Sequence, residues 1–307
     1  MCQMNYNEVF CEVNKLLKSH VDNGTVASYI PELQKVSPDK FGVHLCTVDG
    51  GNFAFGDSEE KFSIQSISKV LSLTMAFEIE EDKLWKRVGV EPSGNPFNSL
   101  VQLEYDEGIP RNPFINAGAI VIADVLVSKL KKPKEDFIKF VRQLSGNNQI
   151  DYCDRVAQSE KSKGHRNAAL CNLMKSFGNI ENDIDEVINF YFELCSIEMT
   201  CSELARTFLF LANYGKDPVS GNKIISSSKS KRINAVMQLC GLYDEAGEFS
   251  FKVGLPGKSG VGGGIAVVHP GKYSMVVWSP RLNKKGNSNK GVRFLEEFTS
   301  YTESSIF

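Results

Sequence analysis

The 307-residue sequence predicts an α+β fold: one antiparallel sheet assembled from both ends of the chain, flanked by helices, with a helical lobe inserted between its halves. Three observations carry this expectation. Period-two alternation with turn signals runs from Phe41 to Phe55 and returns after Leu242, and the long stretch between them follows a helical period. No internal repeat is present, and no low-complexity segment is longer than Ser226-Ser227-Ser228-Lys229-Ser230-Lys231. A single domain, 1–307, is expected, with an α/β lobe from about 1–62 and 243–307 and a helical lobe from about 63–242.

Taken in order, Asn7 to Val21 puts Val9, Phe10, Val13, Leu16 and Leu17 on a helical stripe. Phe41 to Val48 reads as a strand, Asp49-Gly50-Gly51 as a hairpin turn and Asn52 to Phe55 as its partner. Ser63 to Ile79 reads as a helix, apolar almost all round and therefore buried. Gly89 to Pro113 holds four prolines and reads as an ordered loop. Asn116 to Leu130 is expected to be a helix with Asn116 as its cap. Asp183 to Cys195 and Thr200 to Tyr214 follow as helices, the second announced by the capping box Thr200-Cys201-Ser202-Glu203. Phe249 to Val253, Gly264 to Val268 and Tyr273 to Trp278 alternate as strands, with His269-Pro270-Gly271-Lys272 turning between the last two. Asn289 to Tyr301 closes the chain as a helix.

Composition narrows the function. With 42% hydrophobic and 23% charged residues, an ordinary globular core is expected. The net charge of −2 and the absence of a basic block argue against nucleic acid or an anionic membrane as partner. The eight cysteines form no C-x-x-C, and His20, His44, His165 and His269 show no metal-ligand spacing, so no metal is expected. Met1 to Asn7 has neither a basic n-region nor an apolar h-region, and no stretch is long enough to span a bilayer. Reduced thiols in a cytoplasmic protein are the simplest expectation.

The chemistry centres on Ser66-Ile67-Ser68-Lys69. An S-x-x-K run puts a hydroxyl and an amine on one helical face, the minimum for a serine nucleophile with a lysine base. The same spacing also occurs at Ser37, Ser58, Ser128, Ser220, Ser226 and Ser228, so spacing alone carries little. Ser66 differs in following a strand-like stretch, opening an apolar helix, and being answered by the single Lys258-Ser259-Gly260. The bland alternatives are a small serine bonded to a backbone carbonyl, a surface lysine and a glycine-rich turn. A buried Lys69 would instead lose charge, as a general base requires. Gly257-Lys258-Ser259 is not a phosphate loop, because Lys252 stands where the first glycine belongs and a strand follows. G-x-S-x-G fails at Val261. The glycine-rich strand edge allows a close backbone approach, so the Val261 and Ser66 N–H groups form a candidate oxyanion hole.

Beyond these motifs the sequence closely resembles the serine-dependent glutaminase family, which has a β-lactamase-like, penicillin-binding fold. The resemblance rests on Tyr29 to Leu33, Phe41 to Gly50, Phe62 to Lys69, Pro110 to Ala119, Asn167 to Leu170 and Gly257 to Gly264. It implies hydrolysis of L-glutamine to L-glutamate and ammonia through a Ser66 acyl-enzyme, with Lys69 as base and no cofactor. It also implies that Tyr191 or Tyr243 relays the leaving-group proton, and that the protein is a homo-oligomer, dimer or tetramer. The implied substrate contacts are Tyr29, Ser66, Asn116, Glu160, Asn167, Tyr191, Tyr243 and Val261. A free amino acid has an ammonium that suits Glu160 and a carboxylate that suits neutral donors such as Asn116 and tyrosine hydroxyls. On pattern alone Glu160 reads as a solvated residue in a charged run and Tyr191 as core. A β-lactam hydrolase is disfavoured by the missing export signal, and a non-catalytic binder by the presence of Ser66, Lys69 and Lys258-Ser259-Gly260 together.

Overall fold

The computed structural model describes residues 4–18, 21–93 and 100–307. Its main sheet has five antiparallel strands: β1 (Gly42–Thr47), β2 (Asn52–Gly56), β3 (Gly257–Ser259), β4 (Gly264–His269) and β5 (Tyr273–Trp278). Their spatial order is β2-β1-β5-β4-β3, so β1 from the N-terminal part pairs directly with β5, Gly42 opposite Trp278. Val43, Leu45, Ile265, Val267, Met275 and Val277 face α1 (Tyr6–Leu17) and the last helix, Asn289–Thr302, where Phe10, Val13, Phe294 and Phe298 complete one core. The alternate residues Cys46, Ala266, Val268, Val276 and Trp278 belong to a second core shared with the helices of the middle of the chain. With both faces covered, the central strands read as nearly unbroken apolar runs.

The middle of the chain begins with α2 (Ser68–Glu80), which packs on α3 (Asn116–Lys129). Downstream lie α4 (Asp154–Lys163), α5 (His165–Ser176) and α6 (Ile184–Cys195). Then α7 (Cys201–Ala212) lies across β1, β4 and β5. Both α2 and α3 are buried almost all round, which is why their sequences lack a polar stripe. No helix among the described residues is long and apolar enough to cross a membrane.

What positions the later chemistry is the segment 62–67. Phe62 stacks on Trp278 at 5.1 Å, and Trp278 Nε1 donates to the Gly262 carbonyl. Phe62–Ser63 also pairs with Glu198–Met199. The segment then passes the edge of β3 so closely that a Cβ on Gly260 would lie 2.4 Å from the Ile64 carbonyl oxygen, and one on Gly262 would lie 2.2 Å from that of Ser63. Gly260→Ala is therefore expected to destabilise the protein by about 2 kcal/mol through overpacking, read as a lower midpoint in urea unfolding. An unchanged midpoint would show that the two backbones can separate freely.

Several elements depart from their sequence expectations for identifiable reasons. Phe249 to Val253 is not a strand but lies in the helix Ala246–Lys252 and its C-cap. Phe249 and Val253, four apart, are buried while Phe251 is 89% exposed, so one helical face satisfies what looked like alternation. Within Gly89 to Pro113, Leu100–Tyr105 is helical, and residues 94–99 lie outside the described residues. Helix α1 is capped by Asn5 and ends at Leu17; residues 19–20 and His20 lie outside the described residues. Helix α2 starts at Ser68 rather than Ser63, because Gln65 has φ +50° and breaks the turn before it. Asn116 is the first residue of α3 but not its cap: Ile115 stands at the cap position, and the Asn112 side chain accepts from the Phe114 and Ile115 N–H groups. The capping box at Thr200 and Glu203 forms as the sequence predicts.

Candidate active site

Ser66 lies in a single 3₁₀ turn, Gln65–Ile67, immediately ahead of α2. It is buried, 8% exposed, directly after the left-handed Gln65. A non-glycine residue held in that region costs on the order of 1–3 kcal/mol and persists only where its surroundings over-determine it. Here the fixed Ile64 and Ser63 carbonyls against β3 do so.

One turn on, Lys69 is 2% exposed. Its Nζ donates to the Phe114 carbonyl at 3.2 Å and to Asn116 Oδ1 at 2.7 Å. Both acceptors are neutral. Burial is the main cause that brings its pKa down to about 8, with Cys195 and Glu160 opposing. Asn116 passes the network on, its Nδ2 donating to Asn167 Oδ1 at 3.0 Å. An asparagine that could have capped α3 is thus turned into the site, and Asn112 takes over the cap.

The Tyr243 hydroxyl is hydrogen-bonded to Ser66, and burial pushes its pKa up while that bond opposes. Tyr243 has φ +42°. The turn Tyr243–Glu245 is tied down by the Glu245 carboxylate, which accepts from Asn283 Nδ2 at 2.9 Å and Asn287 Nδ2 at 2.6 Å. Beneath the phenol ring lies fully buried Lys258, Nζ 4.7 Å from the ring centroid, donating to the Ser259 and Gly241 carbonyls. Burial and the nearby Lys69 lower its pKa well below the usual lysine value. Lys258, Ser259 and Gly260 thus stand behind the site and not on its wall.

The wall encloses a cavity of about 350 Å³, large enough for a free amino acid. Ser66, Asn116, Asn167 and Tyr243 line it. Glu160, Tyr191, Val261 and Tyr29 line it as well, the last half-exposed at the rim. Every implied substrate contact therefore reaches this one cavity, while Lys69 lies just beneath it. Glu160 is not the solvated residue its charged run suggests. It is 9% exposed on the inward side of α4, and burial raises its pKa to about 7 against the opposing effects of Gln65 and Lys69. Tyr191 is hydrogen-bonded to the Cys195 side chain one turn along α6. Gln65, Ile30, Lys163, Arg166 and Cys195 also line the cavity and were not singled out from the sequence. Gln65 adjoins the nucleophile motif, but nothing in its residue type signals the left-handed backbone. The described residues hold no cluster of side chains suited to a metal ion.

Comparison with known proteins gives the family. The Glutaminase family model matches residues 24–307. The glutaminase of Saccharophagus degradans (strain 2-40) is 59% identical over 307 residues, spanning 100% of both chains. That of Christiangramia forsetii is 54% identical over 304 residues, covering 99% of this chain and 100% of its own. Among solved structures, the probable glutaminase YbaS superposes with a TM-score of 0.92 at 32% identity over 99% of each chain. Mglu in its glutamate form gives 0.89 at 30% identity, over 98% of this chain and 68% of its own. With the family matched over most of its length, the chain belongs to the glutaminases: a hydrolase of β-lactamase-like fold that converts L-glutamine to L-glutamate.

Proposed function

We propose that this glutaminase works through a Ser66 acyl-enzyme with Lys69 as general base and Tyr243 as the proton relay. The observation that carries the reading is the environment of Lys69. A neutral amine has two hydrogens, and the Phe114 carbonyl and Asn116 Oδ1 accept both. Its lone pair is then left for the Ser66 hydroxyl. Ser66 Oγ attacks the side-chain carboxamide carbon as Lys69 takes its proton, and the Ser66 and Val261 N–H groups face the developing oxyanion. Tyr243, bonded to Ser66, hands a proton to the departing nitrogen and is reprotonated from Lys69, so the C–N bond breaks with ammonia leaving. Water then attacks the ester by the reverse proton path. Tyr191 is bonded to Cys195 rather than Ser66, and this favours Tyr243 as the relay.

In this reading Glu160 receives the α-ammonium of the substrate, and Asn167, whose oxygen is occupied by Asn116, offers its NH₂ group to the α-carboxylate. Glu160→Gln is expected to raise the KM for L-glutamine by about 100-fold while kcat falls far less, as loss of a charge-assisted bond made equally in ground and transition states requires. An unchanged KM would remove the assignment. Incubation with a glutamine analogue carrying an electrophile at the side-chain carbon, followed by peptide mass mapping, tests the nucleophile. The added mass should sit on the peptide containing Ser66, and label on another residue overturns the mechanism. The proposal also includes a cytoplasmic homo-oligomer, for which light scattering should give a dimer or tetramer and a monomer counts against it.

A further inference from the structure

Behind the ammonium contact runs a buried chain of hydrogen bonds that the mechanism above does not use. Ser63 Oγ donates to the Cys195 carbonyl at 3.1 Å, and Gln65 Nε2 donates to Ser63 Oγ at 3.0 Å. Both side chains belong to buried residues. The direction of this chain follows from chemistry alone. A carbonyl oxygen can only accept, so the single Ser63 proton goes to Cys195, and the Ser63 oxygen must accept from its other neighbour. Gln65 therefore turns its NH₂ group, not its oxygen, towards Ser63. The same NH₂ group has a second hydrogen, and Gln65 lines the same cavity as Glu160, where its amide favours the carboxylate.

We propose that Ser63 and Gln65 are positioning residues, a one-way hydrogen-bond chain that presents donors to Glu160, favours its carboxylate form and thereby sets the affinity for the α-ammonium of glutamine. The inference rests on the reading of Glu160 as the ammonium contact. Without the Ser63 hydroxyl nothing fixes the amide, and it can rotate to point its oxygen at Glu160. That orientation stabilises the protonated acid and disfavours the carboxylate.

The other charged and titratable groups around Glu160 come from every neighbouring element. Lys69 approaches from α2, and Cys195 and Tyr191 from α6. Tyr29 and Tyr243 face it from the flanking segments. Lys163 on α4 and Arg166 on α5 stand on the same wall, and Glu32, on the short helix Pro31–Gln34 against α4, pairs with Lys35. The thiol of Cys195 is pushed up to about 12 by burial and stays neutral, and the tyrosines stay neutral as well. Lys69 is the charged group that acts on Glu160 in the same direction as Gln65, both favouring the carboxylate against burial, and Gln65 has the larger effect of the two.

The test is the pH dependence of KM for L-glutamine in Ser63→Ala against the parent enzyme, from pH 6 to 9. A rise of about one unit in the Glu160 pKa makes KM up to about tenfold higher at pH 6 to 6.5, and the ratio of variant to parent falls towards one by pH 9. At each pH in this range kcat of the variant at saturating substrate should stay within about twofold of the parent's, since the chain touches no reacting atom. Ser63→Thr, which retains the hydroxyl, should restore the parent profile. A ratio independent of pH, or no change at all, overturns the proposal, because a merely structural serine would weaken binding equally at every pH. If Ser63→Ala does not fold, Gln65→Glu serves instead: a second carboxylate beside Glu160 must move the acidic limb of kcat/KM upward, and an unmoved limb overturns the inference equally. Glu160→Gln separates the two levels. An unchanged KM there removes the ammonium contact itself, whereas a raised KM combined with a pH-independent Ser63→Ala ratio removes only the chain.

Discussion

Ser66→Ala should lower kcat by at least about 10⁴-fold, as loss of a nucleophile does when the rest of the site can only bind and polarise. The same substitution should leave the fold intact. Ser66 is buried, but the change removes one oxygen and adds no volume, and the hydroxyl it deletes is bonded to the Tyr243 side chain, not to a backbone group of the core. Tyr243 loses a partner but keeps its position, because the Glu245 carboxylate holds the turn through Asn283 and Asn287. Thermal unfolding is therefore expected within a few degrees of the parent, with a slight gain in stability possible only at the expense of function. The two readings belong together. Ammonia release from L-glutamine reports the chemistry and circular dichroism the fold. More than a few per cent of parental turnover in a folded Ser66→Ala protein would end the acyl-enzyme mechanism.

The parts of this site that were legible in the sequence are those whose chemistry is local. Ser66 and Lys69 sit on one helical face, and Gly260 and Gly262 reveal a close backbone approach because nothing else explains so many glycines at a strand edge. The sheet was legible for the same reason, since β1, β2, β4 and β5 each alternate or run apolar between turn residues. Resemblance to a family supplied the rest of the wall, and the residues themselves did not. Glu160 lies in a run of charged and small residues that periodicity assigns to solvent, and only the packing of α4 against α6 and the Pro31–Gln34 helix turns it inward. Gln65 was missed because its importance is a backbone angle and a bond to Ser63, neither written in residue type. Phe249 misled for the opposite reason: Phe249 and Val253, four apart, fit both periods, and only burial, which leaves Phe251 exposed, decides between them.

Lys69→Met should reduce kcat by about 10³-fold or more, the effect of deleting a general base that also feeds the proton relay. Its effect on stability is less obvious and more diagnostic. A lysine whose folded pKa is about 8, below the unfolded value of 10.5, is a cost to the folded state wherever it is protonated in both states. That cost is full below pH 8, is relieved as pH rises from about 8 to 10.5, and is gone above; over that window it amounts to about 3 kcal/mol. Methionine removes the cost but leaves the Phe114 carbonyl and Asn116 Oδ1 without a donor, a loss of about 1–3 kcal/mol. At pH 7 the two effects nearly cancel, so the variant should be about as stable as the parent despite losing two buried hydrogen bonds. Between pH 8 and 10 only the parent gains from deprotonation of this lysine, and the stability difference should open in the parent's favour by about 2 kcal/mol. Urea unfolding of both proteins at pH 7 and pH 10 reads this directly, and taking the difference removes the titration of every group they share. A difference that does not change with pH would mean that Lys69 keeps its proton in the folded enzyme as it does in the unfolded chain, and its poise as a base near neutral pH would have to be abandoned.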